Sequence, residues 1–172
     1  MTLQTLAIEN DFRAAMRRLA STVSVVTCAD KGQWHGMTAT AVTSVCADPA
    51  TVLVCINQSA SVHNPLRAGG SFCVNLLTSG QVLVAQAFSG RLTGAARFAV
   101  GAWDTHAQAS PALRDAQANL FCTVVDRFCH GTHSIFLGRV DSVRMAGAVS
   151  PLIYQDGAYA VARPLSDSCA YA

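Results

Sequence analysis

Charged side chains are scarce in this chain of 172 residues, and two charged residue types are almost absent. Lys31 is the only lysine and Glu9 the only glutamate, and charged residues make up 13% of the sequence, against the ~25% usual in soluble domains. A lone lysine in a turn-like stretch argues against Schiff-base chemistry. Twelve Lys and Arg against ten Asp and Glu, with no basic run, argue against nucleic-acid binding. We therefore expect chemistry that does not depend on charged side chains.

Long apolar runs are also missing, although 51% of the residues are hydrophobic. The longest uncharged stretch, Ala68–Gly90, contains polar residues such as Asn75 and Gln86, which disfavours a bilayer-spanning helix. The N-terminus has no basic segment typical of a signal peptide. These observations predict a cytoplasmic protein without membrane contact. The low charge further predicts an obligate homo-oligomer, because permanent interfaces are apolar.

Several well-known site motifs are absent. The sequence has no glycine-rich Rossmann or P-loop motif and no Gly-x-Ser-x-Gly nucleophile motif. Its acids, among them Asp104 and Asp126, are scattered, which disfavours a two-carboxylate hydrolase. Cys129-His130-x-x-His133 has residue types that bind transition metals. No second ligand cluster accompanies it, so we expect no metal site and a solvated loop histidine at His130.

Seven cysteines form no Cys-x-x-Cys pair, and their number is odd. Most of them lie among Val, Leu and Phe, as Cys55 and Cys73 do. Free cysteine is one of the most frequently buried residue types. The sequence therefore predicts reduced, buried thiols rather than disulfides.

The pattern of apolar residues predicts short strands and few helices. A short amphipathic helix is expected after the capping residues Glu9–Asp11, and another over 81–88. Between 90 and 112 we expect a long irregular segment. Strands are predicted over 22–28, from Trp34 onward across the Lys31-Gly32 turn, and over 39–46, 51–57, 72–77, 120–126, 134–145 and 151–161. So many short strands favour one domain built as a closed antiparallel barrel.

Two segments rich in neutral hydrogen-bond donors flank the apolar strand at 51–57. Gly36–Ser44 carries four hydroxyl residues in nine and no charge, and Asn57–Pro65 combines Asn57, Ser59 and Ser61. The first segment is equally compatible with an ordinary strand that has one polar face. Alternatively, the two segments together cradle a planar, polar-edged cofactor and its phosphate, with Arg67 adding charge, because hydroxyl and backbone N–H groups bind phosphate without lysine. His133, beside Gly131 at a strand mouth, is placed to contact a bound ring.

The run GMTATAVTSVCADPATVLVCINQSASVHNPLRAGGSFCVNLL, residues 36–77, resembles the short-chain flavin reductases, which are reductase components of two-component flavin monooxygenases. The resemblance extends from about Asp11 to Val161. Other motifs that carry it are Arg97-Phe98, Trp103, the Gly-x-His of Gly131–His133, Ile135–Val140, and Pro151–Tyr154 with Gly157 and Tyr159. No single motif is decisive, but their order and spacing together are fairly specific.

The resemblance implies a mostly β, antiparallel split barrel with a few short helices over residues 11–162, flanked by terminal extensions 1–10 and 163–172. It implies a homodimer with flavin sites near the subunit interface, and reduction of FMN or FAD by NADH or NADPH. By the same resemblance, Thr38, Ala39 and Thr40 line the isoalloxazine, while Thr43, Ser44, Ser59 and Ser61 contact the ribityl phosphate. Asn75, Gln86 and Phe88 shape the pocket, and His133 borders the nicotinamide.

These readings predict an NAD(P)H:flavin oxidoreductase that supplies reduced flavin to a partner monooxygenase. Hydride transfer between two stacked rings needs position and electrostatics from the protein more than an acid or a base, and this suits a chain poor in charge. Three alternatives remain: the same fold reducing another acceptor such as a corrinoid or ferric chelate, a non-catalytic flavin-binding module, and a dimeric barrel without a ligand.

Overall fold

Antiparallel strands make up most of the protein, and its helices are few. The computed structural model describes residues 3–105 and 110–165, with side chains from Ala7 onward. The helices are α1 (Leu3–Met16), α2 (His63–Arg67) and α3 (Val82–Gln86), the last continued by a π-helical turn at Ala87–Arg91 and followed by a 3-10 turn at Gly94–Ala99. The strands are β1 (Ser21–Thr22), β2 (Ser24–Asp30), β3 (Gln33–Ala39), β4 (Val42–Ala47), β5 (Ala50–Asn57), β6 (Ser71–Leu76), β7 (Trp103–Thr105), β8 (Pro111–Leu113), β9 (Ala118–His130), β10 (His133–Met145), β11 (Leu152–Gln155) and β12 (Ala158–Val161). The predicted mostly β class is confirmed.

Seven of these strands form one antiparallel sheet in the order β3-β2-β6-β9-β10-β5-β4. Its two edge strands, β3 and β4, are consecutive in the chain and are separated only by Thr40 and Ala41. Because so short a connection reaches only about 10 Å, the sheet must curl until its edges come together. Within the described residues no hydrogen-bonded ladder joins β3 to β4, so backbone pairing does not complete the closure that the sequence predicts.

Alternate residues around β2 separate two apolar cores. Val26 and Cys28 pack with Val54 and Phe136 inside the curled sheet, which we call the inner core. Val23 and Val25 pack on the opposite side with α3 and the segment after it, which we call the outer core. Successive side chains of a strand point to opposite faces, so β2 serves both cores. In the outer core, α3 and the segment after it pack against one face of β2 and β3.

The N-terminal helix is longer than predicted. α1 begins at Leu3, so Glu9–Asp11 lie within it rather than capping it, and no Gly or Pro before them interrupts the helix. Three of the apolar side chains that predicted an amphipathic helix, Phe12, Met16 and Leu19, are between 44% and 61% exposed, and Ile8 in the preceding turn is 64% exposed. In the single chain this apolar stripe is not covered.

Two predicted connections are hairpins of regular strands. The polar residues before His133 predict a loop over 127–133, but β9 and β10 pair as far as His130 and His133 and turn at Gly131-Thr132. The predicted terminal strand over 151–161 is in fact the hairpin β11–β12. Its turn residues Asp156 and Gly157 have φ of 50° and 81°, the conformation that an Asp-Gly hairpin turn requires. In both hairpins, backbone pairing overrides the polar side chains.

The described cysteines are free thiols in three different environments. Cys28, Cys73 and Cys122 are buried, as predicted, and burial raises the pKa of Cys28 and of Cys122 to about 12. Cys55 is half-buried, whereas Cys46, on an edge strand, and Cys129, near the tip of the β9–β10 hairpin, are exposed, so the prediction is wrong for these two. Cys169 lies outside the described residues.

Two features are absent from the part of the chain that the structure describes. No helix there is long and apolar enough to cross a membrane. Nor do three or more His, Cys, Asp or Glu side chains gather there in a way that could hold a metal ion. His130 is exposed at the end of β9, opposite His133.

Candidate active site

The two donor-rich segments are neighbours in the structure. Gly36–Ser44 is not one strand, because β3 ends at Ala39 and β4 begins at Val42. Between them, the Ala41 carbonyl accepts a hydrogen bond of 3.0 Å from the Cys55 amide. This contact places the end of β3 close to the end of β5, where the second donor-rich segment begins.

A cavity of about 420 Å³, which we call the Thr38 cavity, lies beside the end of β3. Three residues predicted to bind flavin line it: Thr38 on β3, Thr40 just after β3, and Gln86 on α3. The remaining lining residues come from three other segments: Val23, Ser89, Arg91, Tyr154, Gly157 and Tyr159. The sequence therefore predicts three of the lining residues as flavin ligands, but it does not predict Arg91 or the two tyrosines as part of the site.

The polar groups of the Thr38 cavity are partly engaged with one another. The Thr38 hydroxyl donates to the Ala85 carbonyl at 2.6 Å, and Arg91 Nη1 donates to Gln86 Oε1 at 2.8 Å. Burial raises the pKa of Tyr159, and nearby Tyr154 adds to this while the positive charge of Arg91 opposes it. The cavity is thus a neutral donor surface with one cation at its wall.

A second cavity of about 540 Å³, the Trp34 cavity, lies along the other end of β3. Ser61 reaches it from the second donor-rich segment, and it is also lined by Gly32, Gln33, Trp34, His35, Gly36, Gly94, Ala95, Arg97 and Phe98. Trp34 packs edge-on against Phe98 with ring centroids 5.2 Å apart. Arg97 donates to the Gly36 carbonyl at 2.6 Å and to the Leu92 carbonyl at 2.8 Å, so its guanidinium is largely committed to the backbone.

Phe88 lies beneath β3 rather than in a cavity wall. It is 2% exposed and packs against Phe98 and Trp103 with centroids 5.0 and 5.1 Å apart. A Cβ atom at Gly36 would stand 2.5 Å from the Phe88 ring, so only glycine allows this approach. Phe88, predicted to shape the pocket, acts by holding the middle of β3 between the two cavities.

The side chain of Ala39 points away from the Thr38 cavity. It is 6% exposed and belongs to the inner core. Because neighbouring residues of a strand face opposite sides, Thr38 and Ala39 cannot line one surface with their side chains. Only the backbone of Ala39 is placed to contact a ligand beside Thr38.

Asn75 is a core residue whose amide is fully used by the protein. Its Nδ2 donates to the Val25 carbonyl at 2.8 Å and to Thr27 Oγ1 at 3.1 Å. Its Oδ1 accepts from the Leu113 amide and from Asn119 Nδ2, both at 2.8 Å. Asn75 is fully buried and lines none of the cavities described here, so the structure places it outside the pocket that it was predicted to shape.

The second donor-rich segment forms a turn that begins at Asn57. Asn57 Oδ1 accepts hydrogen bonds from the Ser59 amide at 2.9 Å and from the Ser59 hydroxyl at 2.8 Å, an arrangement in which an Asn side chain shapes its own turn. Thr43 and Ser44, predicted with Ser59 to contact phosphate, are exposed on β4. As consecutive strand residues they point to opposite faces, and neither lines a cavity described here.

His133 stands directly beside the Asn57 turn, since it is the register partner of Asn57 between β10 and β5. Its Nδ1 lies 2.9 Å from the Thr132 hydroxyl. Gln58 connects the two turns by two hydrogen bonds. Its backbone amide donates to the Thr132 carbonyl at 2.9 Å, and its side-chain Nε2 donates to the Gly131 carbonyl at 3.3 Å. His133, the predicted nicotinamide residue, and Ser59, one of the predicted phosphate residues, therefore share one end of the sheet.

A buried hydrogen bond supports this junction from below. His63 Nε2 lies 2.8 Å from the Ser134 hydroxyl, and both residues are buried. The His63 ring also packs edge-on against Phe136. His63 thus connects the segment after the Asn57 turn to the residue after His133, a role that the spacing in the sequence does not reveal.

A third cavity, of about 420 Å³, separates α1 from the β11–β12 turn and shares Thr40, Tyr154 and Gly157 with the Thr38 cavity. Arg17 spans its edge: its Nε donates to Asp156 Oδ1 at 3.0 Å and its Nη2 to the Asp156 carbonyl at 2.8 Å. The Asp156 amide in turn donates to the Arg17 carbonyl at 2.8 Å. These contacts hold the end of α1 at the border of the Thr38 cavity.

Known proteins resemble this chain over most of its length. Residues 16–163 match the family model described as "Flavin reductase like domain". The chain is 38% identical over 159 residues to the reductase component of the FADH(2)-dependent resorcinol hydroxylase of Rhizobium sp. strain MTP-10005, covering 91% of this chain and 89% of that one. It is 41% identical over 148 residues to the FMN reductase (NADH) RutF of Methylorubrum populi, covering 86% and 73%.

Among solved structures, the NADH:FAD oxidoreductase SgcE6 of Streptomyces globisporus C-1027 superposes with a TM-score of 0.84 at 28% identity, over 92% of this chain and 90% of that one. The family model covers more than half of the chain, and the resemblance that the motifs of the sequence predicted is thereby confirmed. The chain belongs to the family of flavin reductase-like domains.

Proposed function

We propose that this protein is an NAD(P)H:flavin oxidoreductase that transfers a hydride from NADH or NADPH to FMN or FAD and supplies reduced flavin to a partner monooxygenase. The observation that carries this proposal is the Thr38 cavity, where Thr38, Thr40 and Gln86 converge in a member of the flavin reductase-like family. The family relatives are flavin oxidoreductases, and both a flavin and a reduced nicotinamide are the expected ligands.

The donors of the Thr38 cavity fit the polar edge of a flavin ring. The ring carries carbonyl and nitrogen acceptors, and the cavity offers the Thr40 hydroxyl, the Gln86 amide and the Arg91 guanidinium. Its volume of about 420 Å³ lies in the range of small-molecule sites, roughly 300–1,000 Å³. Tyr154 and Tyr159 add aromatic faces for a planar ligand.

The ribityl phosphate would extend from Thr40 toward the Asn57 turn. The Ala41–Cys55 hydrogen bond keeps these segments adjacent, and the turn offers the hydroxyl groups of Ser59 and Ser61. Backbone N–H groups in such a turn bind phosphate without a lysine. We therefore assign the ring to the Thr38 cavity and the phosphate to Asn57, Ser59 and Ser61.

His133 is proposed to seat the nicotinamide. The Thr132 hydroxyl holds its Nδ1, so Nε2 is the nitrogen available to a ligand. The bound flavin supplies the electron-accepting chemistry, and the protein supplies position. The chain contributes by binding the ring edge, by bringing the donor close to it, and by limiting water in the cavity.

We further propose a split barrel that functions as a homodimer, with a second copy covering the outer face of β4, β5, β10 and β9. Cys55, Ile135 and Phe128 form one register row on this face, and Leu53 and Leu137 are partners in the next. Phe128 is 55% exposed, and apolar faces of this kind are typical of homodimer interfaces. Molar mass measured by light scattering tests this: a mass of twice 18.0 kDa is expected, and a monomer contradicts it.

The transfer of reduced flavin to an oxygenase is supported by the relative that is the reductase component of a resorcinol hydroxylase. Two measurements decide the question. The first is the steady-state rate of NADH and NADPH oxidation with FMN or FAD as the sole acceptor, and the second is the bleaching of bound flavin by each nucleotide under anaerobic conditions. Rapid oxidation with free flavin is expected. Turnover only after addition of a ferric chelate or a corrinoid would contradict free flavin as the acceptor, and bound flavin that no nicotinamide bleaches would contradict reductase activity altogether.

A further inference from the structure

Arg91 is the only charged side chain among the residues that line the Thr38 cavity. Its Nη1 donates to Gln86 Oε1, which leaves the other nitrogens of the guanidinium for a ligand. Among the ion pairs formed by the described residues, none involves Arg91. Arg97 in the Trp34 cavity differs, because its guanidinium donates hydrogen bonds to two backbone carbonyls.

We propose that Arg91 stabilises the negative charge that the flavin ring gains on reduction, by placing its guanidinium at the N1–C2=O edge of the ring. This inference rests on the proposed function, because it requires the ring to occupy the Thr38 cavity. It assigns to Arg91 a contact that strengthens as the reaction proceeds, which is the kind of contact that accelerates a chemical step.

The charge balance of the reaction creates the need for such a residue. The C4–H bond of the dihydronicotinamide breaks and an N5–H bond forms on the flavin, and the bonding electron pair moves with the hydrogen nucleus. The nicotinamide becomes a cation, and the flavin gains one negative charge, which resides mainly on N1 and the C2 carbonyl oxygen. A fixed cation at that edge stabilises the product of the transfer.

The surroundings of Arg91 hold its guanidinium in place for this role. Arg91 ends the π-helical turn that follows α3, and its bond to Gln86 ties it back to the last residue of α3. Its charge is close enough to Tyr159 to oppose the rise in the pKa of that phenol. Arg91 is exposed, and its hydrogen bond to Gln86 anchors the guanidinium at the wall of the Thr38 cavity.

A phosphate is the other anion that Arg91 could bind, and the positions of the serines disfavour it. Ser61, one of the donors proposed for phosphate, lines the Trp34 cavity, and Ser59 lies in the Asn57 turn. Neither lines the Thr38 cavity, where Thr38 and Thr40 stand. With the phosphate assigned to Ser59 and Ser61, the part of the flavin assigned to the side of Arg91 is the ring.

Flavin affinity measured in both oxidation states tests the proposal without relying on turnover. Riboflavin and FMN are titrated into the wild type, Arg91→Gln and Arg91→Lys, first oxidised and then reduced under anaerobic conditions, with bound flavin quantified by absorbance and fluorescence. For Arg91→Gln we expect affinity for reduced flavin to fall roughly tenfold more than affinity for oxidised flavin, as for the loss of one charge-assisted hydrogen bond. The effect should be equal for riboflavin and FMN, and Arg91→Lys should restore part of it.

Arg114→Gln is the matched control, because it removes the same charge at a residue that lines none of the cavities described here. It should bind both oxidation states as the wild type does. A loss for FMN in both oxidation states, with riboflavin unaffected, would assign Arg91 to the phosphate and overturn the proposal. An equal loss for oxidised and reduced riboflavin would overturn it as well. Failure of the wild type to bind either flavin would refute the proposed function itself.

Discussion

Asn75 and Asn57 are two asparagines from the same family-like run, yet the structure gives them opposite tasks. Asn75 is fully buried, and five neighbouring groups form hydrogen bonds with its amide. Asn57 is half-buried at the mouth of β5, and its Oδ1 shapes only the turn that carries Ser59. Both residues were predicted to bind the cofactor, and only Asn57 lies where a ligand can approach.

The difference shows how this sheet separates stability from binding. In its interior, polar side chains are retained because each of their hydrogen-bonding groups meets a protein partner. In the Thr38 cavity, donors such as the Thr40 hydroxyl and the Arg91 guanidinium have N–H or O–H groups that form no hydrogen bond with the residues that the structure describes. Unused capacity at a concave, neutral surface is what a polar-edged ligand requires.

The largest expected effect is the loss of stability in Asn75→Ala. The substitution removes the Asn75 acceptor of the buried Leu113 amide and one of the two acceptors of Asn119 Nδ2, and unsatisfied buried groups cost about 1–3 kcal/mol each. We therefore expect the free energy of unfolding to fall by about 2–4 kcal/mol, measured by urea denaturation.

Asn57→Ala is the matched control for this substitution. It removes an acceptor from an accessible turn, so a loss of less than about 1 kcal/mol is expected, together with weaker flavin binding. Equal losses of stability in the two variants would contradict the distinction between a buried, fully hydrogen-bonded asparagine and one at an accessible turn.

Gly36→Ala probes the point where the closed core meets the open cavities. The new Cβ would overlap the Phe88 ring, whose nearest carbons lie at 2.5 and 2.7 Å. Overpacking of this kind typically costs about 1–3 kcal/mol, and here it also displaces β3 beside both cavities. Adding Phe88→Leu should recover part of the loss in a double-mutant cycle. Additive effects of the two substitutions would show that the contact is not the cause.

The sequence predicted the parts of the site that depend on local pattern. β-branched runs predicted β2 and β5, and the concentration of hydroxyl groups marked the segment that carries Thr38 and Thr40, both of which line the Thr38 cavity. It also predicted that the two donor-rich segments, which precede and follow β5 in the chain, meet around one ligand, and the Ala41–Cys55 hydrogen bond joins the first segment to the end of β5. These features follow from residue type and strand period alone.

The parts that it missed depend on distant pairing. Tyr154 and Tyr159 reach the Thr38 cavity only because Asp156-Gly157 turns the chain back, and the Asp-Gly dipeptide was an available signal for that turn. Arg91 reaches the cavity because of the π-helical turn after α3, for which the sequence gives no comparable signal. Whether an asparagine is buried and fully hydrogen-bonded, as Asn75 is, or accessible to a ligand, as Asn57 is, depends on partners that are distant in sequence.

A third prediction concerns function at the open end of the sheet. His133→Ala should leave stability nearly unchanged, because His133 is exposed. It should raise the KM for NADH about fivefold, as expected for one lost hydrogen bond, and raise the KM for flavin less. His130→Ala is the control, since His130 is the cross-strand partner of His133 on β9. Equal increases in both KM values would contradict the assignment of His133 to the nicotinamide.

The smallest effect is expected at Asp104, a half-buried acid that forms ion pairs with two arginines. The hydrogen bond from Arg114 is the main cause that lowers the pKa of Asp104 below its ordinary value of 3.8, with Arg144 adding to it and desolvation opposing it. A carboxyl whose pKa is lower in the folded state contributes stability above its unfolded pKa and loses it as the pH falls through its folded pKa. The difference in unfolding free energy between the wild type and Asp104→Asn should therefore be largest near neutral pH. It should shrink below about pH 4, as urea denaturation at a series of pH values would show. Because Arg114 causes most of the shift, Arg114→Gln should weaken the same dependence, and a difference that widened on acidification would refute this account.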